Sequence, residues 1–230
     1  MRFPLTTRLV AEFIGTAFLV AAVIGSGVMG ERLAGGNVAV ALLANTIAMG
    51  AALVALILTF GPVSGAHFNP VVTVVEAFVS HLSRTDAVAY VGVQVAGGIL
   101  GTVTAHLMFG LSVISVSRHD RHGWHVVLSE FVATFGLLVV VAGCSRFRAS
   151  TVPFAVAAYI TSAYWFTAST SFANPAVTIA RCLSDTFAGI RPVDVPILSP
   201  HRSLGDWLHA LFLIDCERSN RRTAPMLFEA

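Results

Sequence analysis

Long apolar segments separated by short polar ones run through most of the chain. A helix needs about 20 consecutive apolar residues to cross a bilayer, and five segments approach that length: 9–29, 38–60, 86–109, 126–143 and 152–168. Two shorter apolar segments, 69–80 and 174–186, each follow a turn-like phrase, and we interpret them as half-helices. The pattern predicts an all-α membrane protein.

The phrase before each half-helix occurs twice. Ser64–Thr73 reads SGAHFNPVVT, and Ser171–Thr178 reads SFANPAVT. A second match joins the first and fourth long segments, where Ala11–Thr16 reads AEFIGT and Ser129–Thr134 reads SEFVAT. An Asn-Pro pair fits the start of a helix with proline at its first position. Two copies in matching apolar surroundings indicate a duplication that brings two half-helices near the bilayer centre.

This duplication predicts how the chain is organised. Residues 1–110 form a first repeat of three spans and a half-helix, and residues 111–196 form a second repeat of two spans and a half-helix. The odd number of spans in the first repeat inverts the second copy relative to the first.

The tail, residues 197–230, breaks the pattern of the repeats. It contains only a brief apolar run, from Trp207 to Ile214, which as a helix covers about 12 Å of a hydrocarbon core of about 30 Å. We therefore expect the sixth transmembrane helix to be missing. The abrupt change in composition favours a frameshift, and an amphipathic tail lying on the membrane is the alternative.

Composition excludes several classes of function. The chain is 56% hydrophobic and 11% charged, with a formal net charge of +2, and it has no basic stripe for a nucleic acid. Cys144, Cys182 and Cys216 stand at unrelated spacings, which argues against a disulfide framework or a zinc site. No nucleophile–base pair, metal cluster or phosphate loop is evident, so we expect neither an enzyme nor a cofactor nor a metal.

Arginine positions predict the orientation. Arg2 and Arg8 precede the first span, and Arg146 and Arg148 follow the fourth, which places both pairs on one side of the membrane. The positive-inside rule makes that side cytoplasmic, although two arginines in the loop 118–121 fall on the opposite side. We expect a multi-pass protein of the inner membrane with a cytoplasmic N-terminus.

Glu12 and Glu130 are ionisable residues at matching positions inside apolar segments. Such residues usually face the protein interior. We expect both to anchor the loops before the half-helices by accepting hydrogen bonds from backbone N–H groups, which cannot stay unpaired in a membrane. A proton-relay role is the alternative.

Ser64–Pro70, the two glutamates, Gln94 and the Asn174-Pro175-Ala176 motif together resemble the major intrinsic protein family, the aquaporins and glycerol facilitators. The similarity extends from residue 8 to about residue 196. It implies an inverted-repeat helical bundle with two re-entrant half-helices, a channel for small neutral solutes, and usually a homotetramer.

The resemblance also implies roles for individual residues. Asn69 and Asn174 are the pore asparagines, and the residues that complete their motifs are Pro70, Val71, Pro175 and Ala176. Val71 stands where the family usually has alanine. His67 is expected to line the cytoplasmic half of the pore.

The outer constriction departs from the family. Family spacing places its four positions at Met49, Ser162, Ser171 and Val177, and Val177 replaces the usual arginine. Such a ring is wide and uncharged, and the chain resembles the bacterial subgroup linked to metalloid handling. We therefore expect glycerol, arsenious acid and water as solutes. Arg181 is expected in the outer loop region, paired with Asp185, and re-entry into the vestibule is the alternative.

Two other interpretations of function stay open. One is a truncated, non-conducting remnant of such a channel, because the tail lacks a span. The other is a secondary active transporter, which also uses inverted repeats. A transporter needs intramembrane carboxylates for coupling ions, and beyond the two anchors only Glu76 is a candidate.

Overall fold

The fold is an all-helical bundle. The structure is a computed structural model that describes residues 3–79 and 82–195, and over these residues it contains helices and no strand. The helices are α1 (Leu5–Leu33), α2 (Val38–Ser64), α3 (Pro70–Val79), α4 (Arg84–Met108), α5 (Trp124–Phe147), α6 (Val152–Phe166) and α7 (Pro175–Arg181). Two 3₁₀ turns, Ala149–Thr151 and Pro192–Asp194, complete the described secondary structure.

The helices confirm the all-α membrane fold. Among the described residues, α1, α2, α4 and α5 are long and apolar enough to cross a membrane. The fifth segment forms α6, which has 15 residues and so spans about 22 Å. It is shorter than the predicted span because the chain becomes extended at Thr167, with φ −109° and ψ 143°.

The half-helices differ in length. The first, α3, ends at Val79, close to the predicted end at residue 80. The second, α7, ends at Arg181, so the expected range of 174–186 is too long. The reason lies in a neighbouring loop: the N–H groups of Ser117 and Ser115 donate to the carbonyl groups of Cys182 and Leu183 at 2.9 and 3.1 Å. The interpretation of residues 197–230 lies outside the described residues.

Helix α1 crosses α4 at short range because α4 carries glycines on the contact face. A Cβ atom on Gly97 would lie 2.3 Å from the carbonyl oxygen of Phe13, and one on Gly101 would lie 2.3 Å from that of Ala17. Real Cβ atoms do not approach so closely. Small residues therefore let the two backbones meet, as in many membrane helix pairs.

Helix α4 also holds the end of α7. Thr102 donates from its hydroxyl to the carbonyl oxygen of Ala180 at 3.1 Å. A ring nitrogen of His106 lies 2.8 Å from the Ser184 hydroxyl. A helix of the first repeat thus positions the half-helix of the second.

We predict that Gly101→Ala destabilises the bundle. The added methyl group meets backbone on α1, and overpacking of this kind costs about 1–3 kcal/mol. The measurement is the unfolding temperature of the detergent-solubilised chain.

Gly92→Ala is the matched control on the same helix, because nothing lies within 4 Å of a Cβ at that position. It should be neutral or stabilising, since alanine favours a helix by about 1 kcal/mol over glycine. Equal losses in the two variants would contradict close packing at Gly101.

Candidate functional site

The loops before the two half-helices share one backbone conformation. In the first loop Gly65, Ala66 and Phe68 have φ of 93°, 49° and 48°, and in the second loop the matching residues are Thr170 (62°), Ser171 (50°) and Ala173 (43°). Residues other than glycine disfavour this left-handed region. Strain of about 1–3 kcal/mol per residue persists only where other interactions fix the backbone.

Glu12 fixes the first loop. Its Oε1 atom accepts hydrogen bonds from the Ser64 hydroxyl at 2.6 Å and from the N–H of His67 at 3.0 Å. Its Oε2 atom accepts from the N–H of Phe68 at 2.7 Å and from the Gln94 amide at 2.9 Å. Both carboxylate oxygens of this fully buried side chain are therefore occupied by the loop and by α4.

Glu130 holds the second loop in the same way. Its two oxygens accept from the N–H groups of Phe172 and Ala173, each at 2.8 Å, and the Ser169 hydroxyl also bonds to this carboxylate. The structure thus makes Ser169 the counterpart of Ser64, and Ser171 the counterpart of Ala66.

The two asparagines connect the repeats. Each caps its own half-helix: Asn69 Oδ1 accepts from the N–H of Val71 at 2.9 Å, and Asn174 Oδ1 from that of Ala176 at 3.1 Å. Asn69 Nδ2 donates to the carbonyl oxygen of Ala173, and Asn174 Nδ2 to that of Phe68, both at 2.7 Å. An amide group has two N–H donors, so each asparagine retains a second donor beyond this cross-bond.

The proline after each asparagine begins the half-helix. Pro70 is the first residue of α3, and Pro175 is the first residue of α7. Proline suits this position because the first N–H of a helix has no intrahelical partner. Val71, the departure from the family motif, is buried, and so is Ala176.

A cavity of about 100 Å³ lies where the two loops meet. Both repeats contribute to its wall, which is mostly apolar and includes Leu19, Met49, Leu53, His67, Phe68, Asn69, Ile160, Tyr164, Ser171, Asn174, Val177 and Arg181. His67 is thus on the cavity wall, with a ring nitrogen 3.1 Å from the Thr73 hydroxyl.

Three of the four expected constriction residues, Met49, Ser171 and Val177, line this cavity. Ser162 does not: it lies on the exposed side of α6, and its hydroxyl donates to the carbonyl oxygen of Tyr159 at 2.7 Å. That expectation is corrected. The lining face of α6 is a row of residues four apart, Val152, Val156, Ile160 and Tyr164, and a residue two positions from a member of that row faces elsewhere.

Arg181 is also placed differently from the expectation. It lines the cavity and is only 2% exposed, with its guanidinium carbon 3.8 Å from the centre of the Phe172 ring. Its Nε donates to the carbonyl oxygen of Ala188. Asp185, its expected partner, is exposed and accepts a hydrogen bond from the N–H of Arg118 at 2.9 Å.

Arg121 joins the loops around the cavity. Its Nε donates to the carbonyl oxygen of Gly189 at 3.0 Å, and its Nη1 to that of Ser169 at 3.2 Å. No pattern in the sequence predicts a structural role for Arg121. These carbonyl acceptors account for the position of the Arg121 guanidinium between the loops.

Asp120, His122 and Asp194 form a group that could hold a metal by geometry alone. Arg191 already pairs with two of them, at 2.8 Å from Asp120 and 3.0 Å from Asp194. The hydrogen bond from His122, together with the Arg191 charge, holds the pKa of Asp120 below its usual value. Asp120, His122 and Asp194 thus form an ion-pair network with Arg191 in the loops, and this network explains why they lie together.

Comparisons with known proteins agree with this geometry. Residues 2–150 match the family described as Major intrinsic protein. The chain is 55% identical over 194 residues to Aquaglyceroporin AqpS of Rhizobium meliloti (strain 1021), covering 84% of this chain and 83% of that protein.

Plant relatives and a solved structure extend the comparison. Aquaporin NIP1-1 of Arabidopsis thaliana is 34% identical over 149 residues, and Nodulin-26 of Glycine max is 32% identical over 148 residues. The alignments cover 61% of this chain and about half of each plant protein (49% and 51%). The aquaglyceroporin from Plasmodium falciparum has a similar fold, with a TM-score of 0.62 at 18% identity over 77% of this chain and 79% of that one.

We predict that Glu130→Gln loosens the second loop. The amide keeps one acceptor oxygen but turns an NH₂ group toward a backbone N–H, and a buried unsatisfied donor costs about 1–3 kcal/mol. The unfolding temperature of the full chain in detergent measures the effect.

Glu31→Gln is the control, because Glu31 is exposed near the end of α1. It should leave the unfolding temperature unchanged. A Glu130→Gln variant as stable as Glu31→Gln would show that the carboxylate is not what holds the loop.

Proposed function

The chain belongs to the major intrinsic protein family, and from that premise we propose that glycerol, arsenious acid and water cross the membrane through the cavity between α3 and α7. Members of this family are channels and not enzymes. The chain is accordingly a passive channel for small solutes. The identity of the solutes and the roles of single residues are the proposal.

The observation that carries this proposal is the reciprocal bonding of Asn69 and Asn174. Each cross-bond uses one N–H of an amide and leaves the other to donate to a solute oxygen at the cavity wall. A neutral hydroxyl can exchange its water partners for these donors. A small cation loses far more on leaving water and meets no carboxylate among the described residues of the cavity wall, and this supports the exclusion of cations.

The residues of the constriction support the proposal that solutes larger than water pass. Met49 and Val177 offer apolar surface, and Ser171 offers a buried hydroxyl that has no hydrogen-bond partner among the described residues. Val177 contributes no charge and no long side chain at the position of the family arginine. A partly apolar wall with single polar groups suits polyols and metalloid acids, which carry both kinds of surface.

The membrane arrangement is part of the same proposal. The N-terminus faces the cytoplasm across the inner membrane, and four subunits assemble into a homotetramer. Arginines before α1 and after α5 support the orientation. Large apolar side chains exposed on the outer helices, such as Phe18, Ile47 and Val88, are available to contact lipid or neighbouring subunits.

We predict that Asn69→Ala and Asn174→Ala each lower glycerol flux on the order of tenfold, the change that follows from about 1.4 kcal/mol in the barrier. Each substitution removes a solute donor and a cross-bond between the repeats. Stopped-flow light scattering on proteoliposomes of the 230-residue chain measures the flux.

Asn37→Ala is a matched control. Asn37 caps α2 by accepting from Ala39 and Val40 at 3.1 and 3.2 Å, and it is exposed far along the chain from the two motifs. Its loss should leave flux unchanged. Wild-type flux equal to that of empty vesicles, from correctly inserted protein, would favour the non-conducting remnant instead.

We also predict that Val177→Phe lowers the uptake of arsenious acid several-fold in cells that produce the protein, because the phenyl group narrows the constriction. Val40→Phe, on the exposed side of α2, should leave uptake unchanged. Wild-type uptake no faster than in cells without the protein would contradict the choice of arsenious acid.

A further inference from the structure

Arg181 is a buried cation that the proposed pathway for neutral solutes does not use. It is the last residue of α7, one helical turn beyond Val177, and lies on the wall of the same cavity. Its Nε is bound to Ala188 and its guanidinium stacks on Phe172. Its Nη1 is buried and has no hydrogen-bond partner among the described residues.

Arg181 lacks a carboxylate in contact with it among the described residues. Arg121 lies on the same aromatic ring, 5.3 Å from the centre of Phe172, and donates to carbonyl groups. Both arginines lie within electrostatic range of the Glu130 carboxylate, whose oxygens already hold the loop. No ion pair to Arg181 exists within the described part of the chain. Arg181 therefore has no carboxylate in direct contact in the part of the chain that the structure describes.

A second unpaired polar group lies on the same wall. The Ser171 hydroxyl is buried, lines the cavity and has no partner in residues 3–79 and 82–195. It is free because Ser171 occupies the place that Ala66 has in the first loop, while Ser169 takes the bonding role of Ser64. A buried donor without a partner is costly, and charged groups at membrane depth usually mark a site.

From this geometry we propose that Arg181 and Ser171 form a binding site for a small monovalent oxyanion, such as nitrate or formate, in the cavity. A guanidinium matches a planar oxyanion with two parallel N–H···O bonds, and the Ser171 hydroxyl supplies a third donor. A cavity of about 100 Å³ admits an ion of a few heavy atoms, since one water takes about 30 Å³ of liquid. The site goes beyond the proposed function, because binding does not require conduction.

The test is the unfolding temperature of the purified full chain in detergent, with sodium nitrate or formate against sodium gluconate at equal ionic strength. Gluconate is too large for the cavity. A ligand that binds only the folded state at tenfold above its Kd raises the unfolding temperature on the order of 3 °C. We expect that rise for the wild type and its loss in Arg181→Gln.

Arg32→Gln is the matched control. Arg32 also donates to a carbonyl oxygen, that of Phe109 at 3.1 Å, and lies over that ring at 5.2 Å, but it is exposed at the end of α1. It should keep the full shift. No nitrate or formate shift in the wild type, or an equal shift in Arg181→Gln, would overturn the site.

Two further arms keep the test decisive. If Arg181→Gln does not fold, Arg181→Lys replaces it, and we expect a reduced shift because an ammonium lacks the planar fork; an undiminished shift overturns the proposal. Glycerol flux, measured with and without nitrate, separates the two proposals. A thermal shift without any glycerol flux refutes the solute pathway and supports the oxyanion site. Glycerol flux without a thermal shift supports the solute pathway and refutes the oxyanion site.

Discussion

Where the backbone is not helical inside a bilayer, its N–H groups have no water to bond with and need a partner within the protein. The two loops at the centre of the structure depend on this constraint. Glu12 and Glu130 meet it by accepting hydrogen bonds from consecutive N–H groups of the two loops. Because the carboxylates hold the N–H groups on one side, the loops tolerate left-handed residues that are otherwise unfavourable. The same geometry presents each asparagine to the loop of the other repeat.

The cross-bonds of Asn69 and Asn174 make the two repeats one unit. Each amide reaches the carbonyl oxygen of the residue that precedes the other asparagine, so neither loop is complete without its counterpart. Close packing of α4 on α1 and the bond from Thr102 to Ala180 support this arrangement from behind. The cavity lies beside the cross-bonds, and its shape therefore depends on the anchors.

The two copies differ at several residues of the loops beside the paired asparagines. The first loop has His67 where the second has Phe172, and Ala66 where the second has Ser171. Phe172 supports the Arg181 guanidinium, and the Ser171 hydroxyl has no hydrogen-bond partner in the part of the chain that the structure describes. The duplicated glutamates and asparagines thus build the frame and supply the proposed solute donors, while the residues that differ give the proposed anion site its chemistry.

The sequence by itself determined the helical membrane fold, the duplication and the family, because hydrophobic segment length and the paired Asn-Pro motifs are local signals. It also picked out both glutamates, since a carboxylate in an apolar span needs a partner. Only the tertiary structure decided that Ser169 bonds to Glu130 as Ser64 bonds to Glu12. It also decided that Ser162 faces away from the cavity and that Arg181 lies on the cavity wall. These side-chain positions depend on where each helix ends and on which distant carbonyl groups accept hydrogen bonds from the side chains. The carbonyl oxygen of Ala188, for example, accepts a hydrogen bond from Arg181. Tertiary packing brings such hydrogen-bond partners together, and no periodic pattern in the sequence marks them.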